Sequence, residues 1–166
     1  MATMVQRAGL DPARVPDCTR ALWAVHRQRN LWQHVPADLP AAISLLRAHD
    51  VPVCVVSNSE GRLLDLFGQL GLTPLFDLII DSHTVGVEKP DPAIFSHVLT
   101  HFAVPAEDVL HLGDVFATDV VGARAAGLRA GLIDPLDHYQ GQHPDVTRVP
   151  SAAAVARAIC AMRPAR

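Results

Sequence analysis

The chain has 166 residues, 49% of them hydrophobic and 19% charged. This suits a globular domain long enough to bury a real core and excludes a disordered or fibrous chain. Net charge is −3 and the basic residues are scattered, which argues against a nucleic-acid backbone as partner. Pro, His, Asp or Arg interrupts each apolar run before the roughly 18 residues of a membrane helix, and Met1–Arg7 lacks the apolar stretch of a secretion signal.

Cys18, Cys54 and Cys160 are unrelated in spacing, which points to a reducing cytoplasm rather than a disulfide frame or zinc site, and Cys54 reads as a small core residue. Residues 1–36 hold Trp23 and Trp32, many Arg and His, and helical spacing in Leu22, Val25 and Arg29. From Ala37 the pattern alternates helix and short strand. Leu39–His49 reads as a helix, and Val51–Val56 as a strand buried on both faces. Glu60–Leu70 returns to helix and is closed by Gly71. Leu78–Ile80 is a second strand; Asp91 caps a following helix with Pro92 at its first position. Val109–Leu112 is a third strand, Asp119–Ala126 a helix, Ala130–Ile133 a fourth strand, and Ser151 caps an Ala-rich terminal helix. Short buried strands alternating with helices predict an α/β fold, a parallel sheet covered by helices. Ligands of such sheets sit beyond the carboxyl ends of the strands.

The polar residues at those ends are suggestive. Ser57-Asn58-Ser59 follows the first strand and precedes a helix, so these residues either cap the helix or present a hydroxyl and free N–H groups to an anion. Gly113-Asp114 ends the third strand, with Asp119 at the next helix start. The two carboxylates either shape the turn and cap or form a hard-cation site of the kind magnesium prefers. Lys89 lies in a loop leading into a helix, where its charge can be held near an anion. Gly122, Ala123, Ala125, Ala126 and Gly127 let the helix after Asp119 approach the sheet closely. His111, beside the carboxylates, reads as a locally bonded core histidine rather than a metal ligand; His26, His34, His83, His97 and His101 show no ligand spacing and read as surface. Trp23 and Trp32 read as packing residues of the helical segment, or as lining a substrate entrance if that segment is a cap. No Walker-type loop or G-x-G-x-x-G offers a competing nucleotide site.

Three stretches carry a resemblance to the haloacid dehalogenase-like hydrolases: Val55–Asn58, Val85–Phe95 and His111–Ala123. The resemblance runs from about Ala37 to Pro135. It implies a Rossmann-like core over residues 37–166 and a partial helical cap over 1–36. It also implies phosphoester hydrolysis of a small phosphorylated metabolite with Mg2+. By motif, Ser57 hydrogen-bonds the phosphoryl group with Asn58 supporting from its backbone, Lys89 neutralises phosphate, Asp114 ligates magnesium, and Asp119 holds a metal-bound water or orients Lys89. Catalytic roles thus fall on Lys89 and Asp119, phosphate binding on Ser57, Asn58 and Lys89, and metal binding on Asp114 and Asp119.

The family's first motif, a strand ending in Asp-x-Asp that supplies the nucleophile, has no counterpart here. Asp11, Asp17 and Asp38 follow no apolar strand, and Asp11 and Asp17 read as turn or cap residues. In the family that strand lies between the strands ending at Val56 and Leu112. Either upstream residues are missing, another chain or second copy supplies a strand to the unpaired edges, or the two strands close up and pair directly. The preferred expectation is a coding sequence truncated upstream. The alternative is a catalytically inactive protein that keeps a phosphate and metal pocket for binding or interaction.

Overall fold

The computed structural model describes residues 2–162, so Met1 and residues 163–166 of the expected segments lie outside it. The chain divides into two compact units, Met1–Val35 and Pro36–Arg166. The first holds α1 (Ala2–Arg7), a 3-10 turn at Pro12–Arg14 and α2 (Val15–Gln28). Asp11 accepts the Ala13 N–H at 2.9 Å and Asp17 pairs with Arg20, as turn and surface residues do. His26, expected on the surface, is instead buried at 1% exposure. Its Nδ1 accepts the Leu31 N–H at 3.1 Å, so the imidazole satisfies backbone just past the end of α2, and Trp23 meets it edge-on at 5.3 Å. Trp32, expected to pack, is 61% exposed.

The second unit is α/β with parallel sheets. Its helices are α3 (Leu39–Ala48), α4 (Leu63–Gln69), α5 (Ser82–Val85), α6 (Ala93–Phe102), α7 (Val121–Ala125) and α8 (Ala152–Met162). Strands β1 (Cys54–Ser57) and β2 (Leu78–Asp81) pair in parallel, with Val56 opposite Ile80 and Ser57 opposite Asp81. Strands β3 (Leu110–Gly113), β4 (Arg129–Ile133) and β5 (Thr147–Val149) form a separate parallel sheet in that order. Direct pairing of β1 with β3, one of the three alternatives left open by the sequence, therefore does not occur. Each of these strands keeps one edge unpaired among the described residues. Leu110, on β3, is accordingly 43% exposed where a central strand would be covered. No described helix is long and apolar enough to cross a membrane.

One core spans β1, β2 and two helices. Val56, Ile80, Ile94, Phe95, Val98, Ala123 and Leu128 pack as a single buried cluster, with Phe95 and Ile94 almost wholly covered. Its apolar side chains come from the helical spacing of α6 and from the apolar runs of the strands. Cys54, expected in the core, is half-buried against this cluster. A second cluster joins α3 to α8 through Ala42, Ala153 and Ala156, small residues that allow the close helix contact. Ser151 Oγ accepts the Ala154 N–H at 3.1 Å, the cap expected for α8.

The loop after β1 is fixed from β2. Asp81, 5% exposed, accepts N–H groups from Gly61 and Leu63 at 3.1 Å and from His83 at 3.0 Å. The Ser82 hydroxyl accepts the Ser59 N–H at 3.0 Å and donates to the Ser59 carbonyl at 3.2 Å. Burial pushes the Asp81 carboxyl up, but the hydrogen bonds from Leu63, His83 and Gly61 outweigh it and hold the group below its usual range.

Two predictions follow from this architecture. Ala103 closes α6 in the left-handed region at φ 52°, a conformation that suits glycine. Ala103→Gly is expected to raise stability by about 0.5–1 kcal/mol, read as a shift in the urea midpoint at unchanged slope. Asp81, depressed in the folded state, stabilises above its unfolded value near about 4, and that contribution is lost as pH falls below it. Asp81→Asn should cost about 1–3 kcal/mol at neutral pH and flatten the acid limb of the stability profile below about pH 4; an acid limb as steep as the parent's refutes the assignment.

Candidate active site

β1 delivers Ser57 as its last residue, half-buried, with its hydroxyl unshared among the described residues. Asn58 follows, and its side chain has a task of its own. Its Nδ2 donates to the Lys89 carbonyl and its Oδ1 accepts the Lys89 N–H, both at 2.8 Å. A side-chain amide sets an N–H donor beside a carbonyl acceptor, and so can meet both the C=O and the N–H of one residue. Asn58 therefore clamps the Lys89 backbone to the end of β1.

The loop carrying Lys89 is also pressed from the other side. A Cβ on Gly122, in α7, would come within 2.9 Å of the Pro90 Cα and carbonyl oxygen. The small residues of α7, expected to pack on the sheet, thus also seat this loop. The Lys89–Pro90 peptide bond is cis. Asp91 Oδ1 accepts the Ala93 N–H at 2.9 Å, the capping bond expected of it, although α6 begins only at Ala93.

Held in this way, the Lys89 ammonium donates to the Val56 carbonyl at 2.8 Å and to Asp119 Oδ1 at 2.6 Å. Both side chains are nearly covered, 10% exposed for Lys89 and 6% for Asp119. Asp119 stands on a turn of π-helix, Phe116–Val120, where the sequence predicts the start of a regular helix. Such wide turns concentrate at functional positions. Gly113 is required here by contact. A Cβ at Gly113 would lie 2.1 Å from Asp119 Cγ, so only glycine lets that carboxylate rest on the end of β3.

Asp119 accepts from three donors: Lys89 Nζ at 2.6 Å and His111 Nε2 at 3.3 Å on Oδ1, and the Val115 N–H at 2.9 Å on Oδ2. Burial pushes the Asp119 carboxyl up, but the bonds from His111, Lys89 and Val115 and the Lys89 charge hold it well below the usual carboxylate range. It is an anion at all ordinary pH values.

Asp114 differs. It is exposed, between Gly113 and Val115, and its carboxylate has no partner among the described residues. One unshared carboxylate beside an open rim fits a magnesium ion, which takes one or two carboxylates and keeps several waters. Asp119, with both oxygens engaged, fits the role of orienting Lys89 better than that of facing a cation directly. No three His, Cys, Asp or Glu side chains among the described residues converge as a metal cage.

Several supporting groups had no signal in the sequence. Phe116 stacks on His143 with centroids 3.4 Å apart and planes 3° apart, and its N–H donates to the Tyr139 hydroxyl at 3.4 Å. Asp134 holds that later loop by accepting the His138 and Tyr139 N–H groups at 2.7 and 3.0 Å. These partners stand more than 20 residues beyond Phe116, and no spacing rule links them. Asp81 was equally hidden, because an Asp at a strand end is commonplace.

Comparison with known proteins identifies the family. Residues 4–127 match the pattern of the haloacid dehalogenase-like hydrolases. Haloacid dehalogenase-like hydrolase domain-containing protein 3 of Danio rerio is 40% identical over 92 residues, 55% of this chain and 38% of that protein. A phosphoserine phosphatase of Thermus thermophilus is 33% identical over 132 residues, 78% of this chain and 51% of that protein. The chain thus spans about half the length, or less, of these curated relatives. In fold it is similar to the crystal structure of a HAD phosphatase from Thermococcus onnurineus, with a TM-score of 0.68 at 20% identity, covering 76% of this chain and 58% of that one. With Lys89 paired to Asp119 and the match extending over most of its length, the chain belongs to the haloacid dehalogenase-like hydrolase family.

Proposed function

We propose that this chain carries the phosphate- and cation-binding half of a magnesium-dependent phosphoester hydrolase acting on a small phosphorylated metabolite. The observation that carries the reading is Lys89, fixed at 2.6 Å from Asp119 and 2.8 Å from the Val56 carbonyl, at the rim where Ser57 and Asp114 stand unshared. In this reading Ser57 donates its hydroxyl to a phosphoryl oxygen, and Lys89 sets a positive charge against the transferring group. Asp119 keeps the ammonium aimed there, because a buried lysine without its counter-ion would be left as a stranded charge and turn away toward water. Asp114 would hold magnesium, which when bound offsets charge on the phosphoryl oxygens.

Among the described residues, none of Asp81, Asp114 and Asp119 is spare to attack phosphorus. Asp119 and Asp81 are saturated with hydrogen bonds, and Asp114 is assigned to the cation. The proposal therefore includes a further strand, lying between the unpaired edges of β1 and β3, that brings the nucleophile to the rim; a preceding segment or a complementing chain can supply it. Three free cysteines, one buried and two half-buried, are in keeping with a reducing cytoplasm.

Calorimetry of the full chain with inorganic phosphate, with and without magnesium, tests this. Binding should require magnesium and weaken about 10–100-fold in Lys89→Ala, the loss of one charge-assisted contact. Asp114→Asn, at an exposed position, should abolish the magnesium-dependent binding while the far-ultraviolet circular dichroism stays that of the parent. Phosphate binding indifferent to magnesium and to Asp114→Asn, or no binding by the folded chain, overturns the proposal. Turnover of p-nitrophenyl phosphate that Asp114→Asn abolishes would exclude a binding-only protein.

A further inference from the structure

We infer that His111 is a positioning residue for the site: its Nε2–H locks the Asp119 carboxylate in the orientation that fixes the Lys89 ammonium. The inference rests on the proposed reading of Lys89 as the phosphate-facing charge, and goes beyond it by assigning a residue that touches neither phosphate nor cation.

Geometry carries the argument. His111 stands on β3, two residues before Gly113, with its side chain 12% exposed. Its ring is wedged edge-on against Phe95, 5.0 Å between centroids and 75° between planes. Phe95 is 1% exposed and belongs to the main core, so the imidazole cannot swing without disturbing a packed side chain. From this fixed ring, Nε2 meets Asp119 Oδ1 at 3.3 Å, the same oxygen that takes Lys89 Nζ at 2.6 Å.

A carboxylate with a single cationic partner can rotate about its Cβ–Cγ bond and carry the ammonium with it. Three directions of restraint remove that freedom here. The Val115 N–H holds Oδ2 at 2.9 Å, His111 approaches Oδ1 from the strand, and Gly113 gives the group its seat. The carboxylate oxygen can only accept, so Nε2 must carry a proton. The neutral Nε2–H form suffices, and the assignment does not depend on a charged ring. The sequence marks His111 only as a locally bonded core histidine. Its partner, however, is the central carboxylate of the site, and a histidine is a costly choice on a strand where an aliphatic residue would pack more simply.

Two substitutions separate positioning from packing. In His111→Gln the side-chain amide can replace the Nε2–H donor; in His111→Phe the aromatic packing on Phe95 is kept and the donor is lost. The readout is ligand-free nuclear magnetic resonance of the full chain labelled with 15N. The Lys89 ammonium, held in a buried pair, should give a slowly exchanging 1H–15N signal, identified by its absence in Lys89→Met. That signal should persist in His111→Gln and vanish or broaden in His111→Phe, while both variants keep the parent far-ultraviolet circular dichroism. Long-range 1H–15N correlation of the parent should show His111 protonated at Nε2. In the phosphate titration His111→Phe should bind about tenfold or more weakly and His111→Gln within about threefold of the parent.

A His111 protonated only at Nδ1, or a Lys89 signal unchanged in folded His111→Phe, overturns the inference. Should His111→Phe fail to fold, loss of the Lys89 signal in folded His111→Gln serves to refute it equally. Absence of phosphate binding in the parent, with the Lys89 signal behaving as stated, overturns the proposed function and leaves the positioning role standing.

Discussion

The Lys89–Asp119 pair is the constraint on which the rest of this unit depends. It joins two sheets that share no backbone hydrogen bond: Lys89 reaches the carbonyl at the end of β1, and Asp119 rests on the end of β3. Breaking a buried pair of this kind by removing one partner typically costs about 3–5 kcal/mol, because the remaining charge is stranded. Well-packed apolar side chains often stabilise as much in such places, so a buried pair is weak evidence of a purely stabilising role. What the pair provides that a hydrocarbon could not is a charge held at a fixed point on the rim.

Much of the surrounding structure is explained by the need to keep that charge in place. Asn58 clamps the Lys89 backbone, Gly122 admits Pro90, Gly113 admits Asp119, and Asp81 with Ser82 holds the loop that follows Ser57. Each contact spans distant parts of the sequence, and each replaces a freedom that a surface lysine would have. The small residues are there because neighbouring backbone and side chains occupy the space a Cβ would need. Substitution at Gly113 or Gly122 would therefore act on Lys89 without touching it.

The motif residues were legible because their chemistry has few other uses in that order. A Gly-Asp pair after an apolar strand, a second Asp five residues on, and a lysine before Pro-Asp-Pro leave little room for another reading. The strands and the main helices were legible as well, since period and length report burial. Boundaries shifted where local chemistry competed: Pro92 precedes α6 rather than opening it, and the Phe116–Val120 turn widened to fit Asp119 against Gly113. β5 left no trace, being three residues with an arginine at its centre, and it is defined by its pairing with β4. His26 was misread because burial was judged from residue type; its acceptor nitrogen satisfies a backbone amide past the end of α2, which outweighs the cost of burying it.

The two open edges are the other side of the same constraint. A parallel sheet normally buries its central strands on both faces, and each ladder satisfies its neighbour's backbone. Here β1 and β3 each present an unpaired edge, and yet they do not collapse onto each other. The core that carries Phe95 and Ala123 ties β1 to α6 and α7, while the Lys89 bridge sets the ends of β1 and β3 apart by the reach of one side chain. Closing the edges directly would leave no room for the Lys89 ammonium, which spans from the Val56 carbonyl to Asp119. The separation and the ion pair therefore stand or fall together.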